Sequence, residues 1–437
     1  MTEEPKPDAV PGEPADPAGA GATVTEERPE PPGTSFSQAL FDALTTANAG
    51  TVTVLAVVLA LLVGSPIIIA SDEDVLASFS YFFSRPTDTL YAIVDAVGGA
   101  YGALFKGSIV DFEVLGQVLA GEAPWDRAAY PLSETLTNAA PLILTGLAVT
   151  LAFRAGMFNI GGEGQAVIGA IGAGLAGFML HLPPVLHLIV ALVAGASAGA
   201  LYGFVPGWLK ARTGAHEVIT TIMLNYIAGK LLVWLVVQDA IQQPGRQDAI
   251  SRAVDGNALL PPLAGDLLRV NLGIVLAIVA AFAVAWVLQR STLGFELRAV
   301  GSNPHAARTA GMSVGKTYVL VMMMSGALGG LGGASLLLGP AHALTPAVIG
   351  GIGFDGITVA LLGRGTPLGT VLAGLLFGAL RAGAVRMQGE ADIPVDMVTI
   401  LQALIVMFIA APALVKSLFR LREERAAGLG QALAKGW

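Results

Sequence analysis

Hydrophobic runs long enough to cross about 30 Å of hydrocarbon at roughly 1.5 Å per residue recur near 51–70, 137–153, 165–182, 185–209, 217–238, 271–289, 317–338, 366–386 and 395–414. A tenth run, 354–363, is too short to cross alone and predicts a half-length or re-entrant helix whose free backbone groups find partners on neighbouring helices. Ten crossings from an inside N-terminus put Arg154, then Lys210 and Arg212, then Arg290, Arg298, Arg308 and Lys316, and finally Lys416, Arg420, Arg422 and Arg425 on one side. That side is the cytoplasm by the positive-inside rule. The predicted fold is an all-α polytopic membrane protein with about ten transmembrane helices, inverted-repeat-like halves and both termini cytoplasmic.

Two polar interruptions stand out against this pattern. Phe158-Asn159-Ile160-Gly161-Gly162-Glu163-Gly164-Gln165 and Phe354-Asp355-Gly356-Ile357 each open a hydrophobic helix with an aromatic, an amide or acid, and glycine. Polar groups at the head of a membrane helix are costly in lipid, so they are expected where a helix is broken around a buried site. Heads of opposite direction, one in each half, form an inverted repeat that places both near a translocation path. Asn159, Gln165 and Asp355 are therefore candidate pathway residues, with Phe158 and Phe354 as flanking aromatics. The alternative is that these groups cap helices or bond free amides, and for Glu163 capping is the favoured reading. Asn225 lies roughly 12 Å along its helix from Glu217 and is placed to face the pathway or a neighbour. Lys230, further along, is an intramembrane cation without an evident partner.

Composition narrows the class. The chain of 437 residues is 54% hydrophobic and 13% charged, with mean hydropathy +0.69, too apolar for a soluble protein. Its net charge of −8 sits mainly in residues 1–33, where eight acids face Lys6 and Arg28, leaving −2 for the rest. Residues 1–50 are accordingly read as a disordered Pro/Glu-rich cytoplasmic tail and lead-in, 51–415 as the transmembrane domain and 416–437 as a cytoplasmic tail. Within the domain, 71–135 is read as extracytoplasmic: it carries ten acids against Arg85, Lys106 and Arg127. Apolar residues at loose helical spacing in 87–123 suggest a helix on the outer membrane surface. Arg381 and Arg386 fall near the outer end of their helix, against the charge trend, and call for snorkelling or a partner contact. Small residues every fourth position, at Gly195, Gly199 and Gly203 and at Gly326, Gly330 and Ala334, predict close helix packing inside the bundle.

The chemistry is sparse. There is no cysteine, and five histidines are scattered without ligand spacing, so no metal is assigned. Ala310–Thr317 fits a relaxed phosphate-loop pattern, but it follows a charged loop and enters a membrane span, whereas a phosphate loop follows a buried strand. Gly351–Gly356 and Gly172–Gly177 fit a dinucleotide fingerprint with no preceding strand, as chance allows in a chain of 55 glycines. No nucleophile–base set or nucleic-acid surface is evident, so the chain is read as neither an enzyme nor a nucleotide binder.

Residues 290–316 separate two spans. Asn303 is placed to start a helix, Pro304 suits its first turn and Gly311 ends it after about two turns. The spacing Ala306-Ala307-x-x-x-Gly311 resembles the coupling-helix motif of ABC importer permeases, with His305 where many members have Glu. The longer pattern Arg298-Ala-Val-Gly301-x-Asn303-Pro304-x-Ala306-Ala307-x-x-Ala310-Gly311 resembles the branch serving branched-chain amino acids, ribose and other simple sugars, and nucleosides. With the block at 158–165, Glu217–Ala228 and Gly353–Arg364, the chain resembles the nucleoside-type permeases that work with basic-membrane-lipoprotein-type binding proteins. The resemblance spans about 51–415. It implies a multi-pass permease of the inner, or cytoplasmic, membrane, embedded in lipid. It also implies a second homologous permease, an ATP-binding subunit that holds ATP and Mg, and an extracytoplasmic substrate-binding lipoprotein. The chain itself would bind no cofactor. The alternatives are a permease for sugars such as ribose, or an ion-coupled secondary transporter relying on titratable groups near mid-membrane.

Overall fold

The computed structural model describes residues 49–420, Asp266 excepted. Of the tails predicted at 1–50 and 416–437, residues 1–48 and 421–437 lie outside the described residues, while Ala49 and Gly50 open the first helix and 416–418 close the last. The described chain is helical, and its β-pairing is confined to isolated bridges at Gln242–Ser251 and Pro262–Asn271. In order the helices are α1 (Ala49–Ser71), α2 (Glu73–Phe79), α3 (Pro86–Ser108), α4 (Phe112–Leu119), α5 (Trp125–Arg154), α6 (Gly162–Met179), α7 (Pro184–Thr213) and α8 (Glu217–Leu235). They continue with α9 (Gly273–Arg290), α10 (Thr292–Ser302), α11 (Pro304–Thr309), α12 (Val314–Leu336), α13 (Ile352–Leu362), α14 (Pro367–Ala391), α15 (Asp396–Ala410) and α16 (Pro412–Leu418). Proline opens α3, α7, α11, α14 and α16, where its missing N–H costs nothing and its fixed φ favours the first turn.

Among the described residues, seven helices are long and apolar enough to cross a membrane, and up to nine if the bent pairs α3–α4 and α15–α16 each count as one. Helix α6 falls outside that count for a physical reason. It is wrapped by α7, α8 and α12, and glycine and alanine replace the large aliphatics that lipid-facing helices carry. A helix surrounded by protein need not be strongly apolar.

The centre of the bundle is a seam of small residues. A Cβ placed on Gly199 would lie 2.8 Å from the Cα of Gly330, and one on Gly195 would lie 2.8 Å from the Cβ of Ala334. The two predicted small-residue ridges therefore face each other within one chain, on α7 and α12. Helix α6 joins them, with Gly169 against Gly330 and Ala166 against Gly333. Close backbone approach maximises dispersion contacts where lipid supplies no hydrophobic drive. Beyond the seam, α12 widens into a π turn at Leu337–Ala341 around Pro340, whose ring cannot serve a regular helical hydrogen bond.

The acidic segment differs from expectation. Helix α3 does not lie free on a surface but packs against α14, burying Ala100, Ala103 and Leu104. Small residues make this possible: Gly383 meets the Leu104 backbone and Gly107 meets Arg386. Arg386 donates to Asp111 at 2.5 Å and to Glu390 at 2.6 Å, which supplies the partner its position demanded. After a 51° bend, α4 buries none of its residues and is the surface element.

Candidate functional site

The basic end of the bundle brings together Arg154, Lys210, Glu217, the 291–313 segment and the turn at 363–366. Lys210 donates to Glu217 at 2.5 Å and lies over the Tyr318 ring. From this end the chain leaves α5 through Gly156, whose φ of +69° favours glycine, and climbs back into the bundle to begin α6. Thr145, which donates to the Ile352 carbonyl at 3.1 Å, lies nine residues before Arg154, about 13 Å deeper by helical rise. The start of α13 is therefore well inside the bundle. Its 11 residues span only about 16 Å, half a bilayer core.

The two polar heads meet. A Cβ on Gly162 would lie 3.3 Å from the Gly353 carbonyl oxygen, and one on Gly353 would strike the Glu163 backbone. Glu163 bridges them: its carboxylate accepts from the Gly351 N–H at 3.1 Å and the Gly353 N–H at 2.8 Å. Glu163 thus caps the other head, not its own. Because α6 and α13 both present N-termini here, one carboxylate offsets the positive ends of two helix dipoles.

The amides of the first head are consumed in building it. Asn159 is fully buried; its Nδ2 donates to Gln165 at 2.8 Å and Ser325 at 2.6 Å, and its Oδ1 accepts from the Gly161 N–H at 3.0 Å. Gln165 returns a bond to Asn159 at 3.2 Å. Asn225 accepts from the Gly164 N–H at 2.8 Å and donates to the Ile160 carbonyl at 2.9 Å. These three residues stabilise irregular backbone at membrane depth, the task predicted for neighbours of a broken helix.

The second head is open by contrast. Phe354 is 49% exposed, and half-buried Asp355 accepts a charged hydrogen bond from Arg381 of α14. Phe158 is 56% exposed and lies near the basic end, its ring 5.2 Å from that of Phe153. The sequence left Arg381 unassigned, and its misfit with the charge trend was the signal. Ser325, hidden in a glycine-rich helix, carried none. Lys230 projects from an exposed face of α8, and no acid among the described residues pairs with it. A cavity of about 620 Å³ at the opposite end, lined by Arg269, Asn271 and His342, includes none of these residues.

The 291–313 segment folds as its caps predict. Asn303 accepts from the His305 and Ala306 N–H groups at 3.0 and 3.1 Å, Pro304 opens α11, and Gly311 follows with φ +86°. Ala307 turns inward onto Val300 and Val314, while Arg298, Asn303, Ala306 and Gly311 are exposed and Pro304 is half-buried. The segment rests on the α5 exit: Gly301 packs on the backbone of Arg154, Ala155 and Gly156.

Residues 132–410 match the family described as branched-chain amino acid transport system / permease component. The chain is 40% identical over 317 residues to the guanosine ABC transporter permease protein NupP of Bacillus subtilis, an overlap covering 72% of this chain and 86% of that one. It is 37% identical over 300 residues to the nucleoside ABC transporter permease protein NupB of Lactococcus lactis, covering 66% and 81%. It is also 37% identical over 289 residues to the glucose ABC transporter permease protein TsgB13 of Haloferax volcanii, covering 64% and 76%. No solved structure matches.

Proposed function

The chain belongs to the family of branched-chain amino acid transport system / permease components, and from that premise we propose that it carries nucleosides through the cytoplasmic membrane as one half of an ATP-driven importer's pathway. It is a permease subunit, not an enzyme. A second homologous permease completes the pathway, a lipoprotein delivers substrate from outside, and a separate subunit hydrolyses ATP on Mg. The observation that carries the substrate reading is the second head. An exposed aromatic face at Phe354 stands beside the Asp355 carboxylate at membrane depth, where a flat base can stack and sugar hydroxyls can donate. Phe158 offers a second ring on the way to the basic end. Asn159, Glu163, Gln165 and Asn225 belong to the pathway as its scaffold. The exposed surface of the 291–313 segment, formed by Arg298 of α10 with Asn303, Ala306 and Gly311 around α11 and half-buried Pro304 at its start, meets the ATP-binding subunit, and Ala307 holds that surface from behind.

Uptake of labelled guanosine by the complete complex tests this reading. Competition by other nucleosides, dependence on ATP and survival of a collapsed proton gradient are the expected results. Competition by glucose or ribose instead would favour the sugar reading, for which the 37% identity to the Haloferax glucose permease speaks. Loss of uptake on adding protonophore at constant ATP would favour ion coupling.

A further inference from the structure

The half-membrane helix α13 is gripped at both ends by the stretch that joins α5 to α6. At its N-terminus the Glu163 carboxylate accepts from Gly351 and Gly353. Just beyond its C-terminus the Arg154 Nε donates to the Gly365 carbonyl at 2.7 Å. An anion thus sits at the positive end of the helix dipole, the favourable sign, while the cation ties down the turn between Leu362 and Thr366, the N-cap of α14. Both bonds are charge-assisted, the stronger kind. Eight residues of sequence lie between the two charges, and α13 carries Phe354 and Asp355 between the two contacts.

The same stretch is the floor on which the 291–313 segment rests. A Cβ on Gly301 would lie 2.6 Å from the Arg154 carbonyl oxygen and 2.8 Å from the Gly156 nitrogen. Backbone in contact with backbone leaves no flexible side chain to absorb a displacement. A shift of the segment therefore presses on the residue that holds one end of α13 and on the connector leading to the residue that holds the other.

We infer that Arg154 and Glu163 are positioning residues that fix α13 by its two ends and pass movement of the 291–313 segment to Phe354 and Asp355. Neither residue needs to touch substrate. The inference rests on the proposed importer function for its meaning but not for its test.

The chain has no cysteine, so a single Phe354→Cys in the assembled complex, reconstituted in vesicles, gives this subunit one thiol, whose labelling is read on this subunit alone after the subunits are separated. Its labelling rate by a charged methanethiosulfonate reagent is compared with and without a non-hydrolysable ATP analogue. The rate is expected to change on adding nucleotide in the otherwise unaltered chain. With Glu163→Gln, which keeps the shape but loses the charge and one acceptor, that response should shrink by about tenfold, the scale of one charged hydrogen bond. Glu163→Asp should recover part of it. Arg154→Gln, at an exposed end where folding is not at risk, should weaken the response, and Arg154→Lys should partly restore it. The nucleotide response surviving intact in both Glu163→Gln and Arg154→Gln would overturn the inference, as would a label at Phe354→Cys indifferent to nucleotide in the unaltered chain. Failure of the substrate reading would appear separately, as absent nucleoside uptake with the labelling pattern unchanged.

Discussion

The two helix heads look alike in sequence and differ in what they leave free. At the head of α6, every amide is spent: Asn159 and Gln165 bond each other, Asn159 also donates to Ser325, and Asn225 bridges Gly164 and Ile160. At the head of α13, the cap comes from elsewhere, through Glu163. That leaves Phe354 and the Asp355–Arg381 pair half open. Buried polar groups must be satisfied, so a head set deep in protein turns its side chains inward. A head that borrows its cap can turn its own side chains outward. The lesson is that a polar motif marks a broken helix, and the source of its cap decides whether it is scaffold or surface.

Removing charge from the open head should have the largest effect. Asp355→Ala leaves Arg381 unpaired at membrane depth, and kcat/KM for uptake should fall by roughly two orders of magnitude while assembly persists. Asp355→Ala combined with Arg381→Met should recover part of that loss. Kinetics in vesicles measure both, and wild-type uptake by the single variant would make the second head a mere strut.

Asn159→Leu attacks the spent head. It strands the Gly161 N–H and the Gln165 amide, at about 1–3 kcal/mol for each buried group left unmade. The expected result is a lower melting temperature in detergent, with KM for the surviving protein unchanged. A normal melt with a raised KM would invert the assignment of the two heads.

Phe354→Ala should raise KM by about fivefold through lost stacking and leave melting unaltered. An equal effect on a sugar and a nucleoside would show that no base rests on the ring. Lys230→Met should do least, changing uptake by less than about twofold, because this cation on an exposed helix face has no acidic partner among the described residues. A larger loss would point to an acid on a neighbouring subunit.

Much of this was legible in the sequence because the signals were local. Hydrophobic length located most candidate spans but missed the bent pair α3–α4 and counted α6 as a full crossing; spacing of small residues found both sides of the seam, and Asn303, Pro304 and Gly311 bounded α11 to within a residue. What escaped was long-range. Nothing near Glu163 says that its carboxylate serves amides 188 and 190 positions later, so a local reading could assign a cap but not whose. Arg381 and Asp355 sit 26 residues apart on different helices, and only the misplaced charge hinted at the pair. The orientation of Ala306 and Ala307 was hidden for another reason. Two alanines in a six-residue helix carry no periodicity, and only Val300 and Val314 decide which one turns inward. Helix α3 was read as a surface element from its loose apolar spacing, because the residues it packs against, Gly383 and Arg386 of α14, lie far away in sequence.

The glycine seam joining α6, α7 and α12 has a consequence on the time axis. Amide protons along it are held by intrahelical bonds whose opening would require three touching backbones to part together. They should be among the last in the bundle to exchange with heavy water, with protection approaching that of global unfolding. The amides of Gly351 and Gly353, held by a single side chain and not by a helical ladder, should exchange sooner, so deuterium uptake would order the molecule from a slow centre to a quicker helix head.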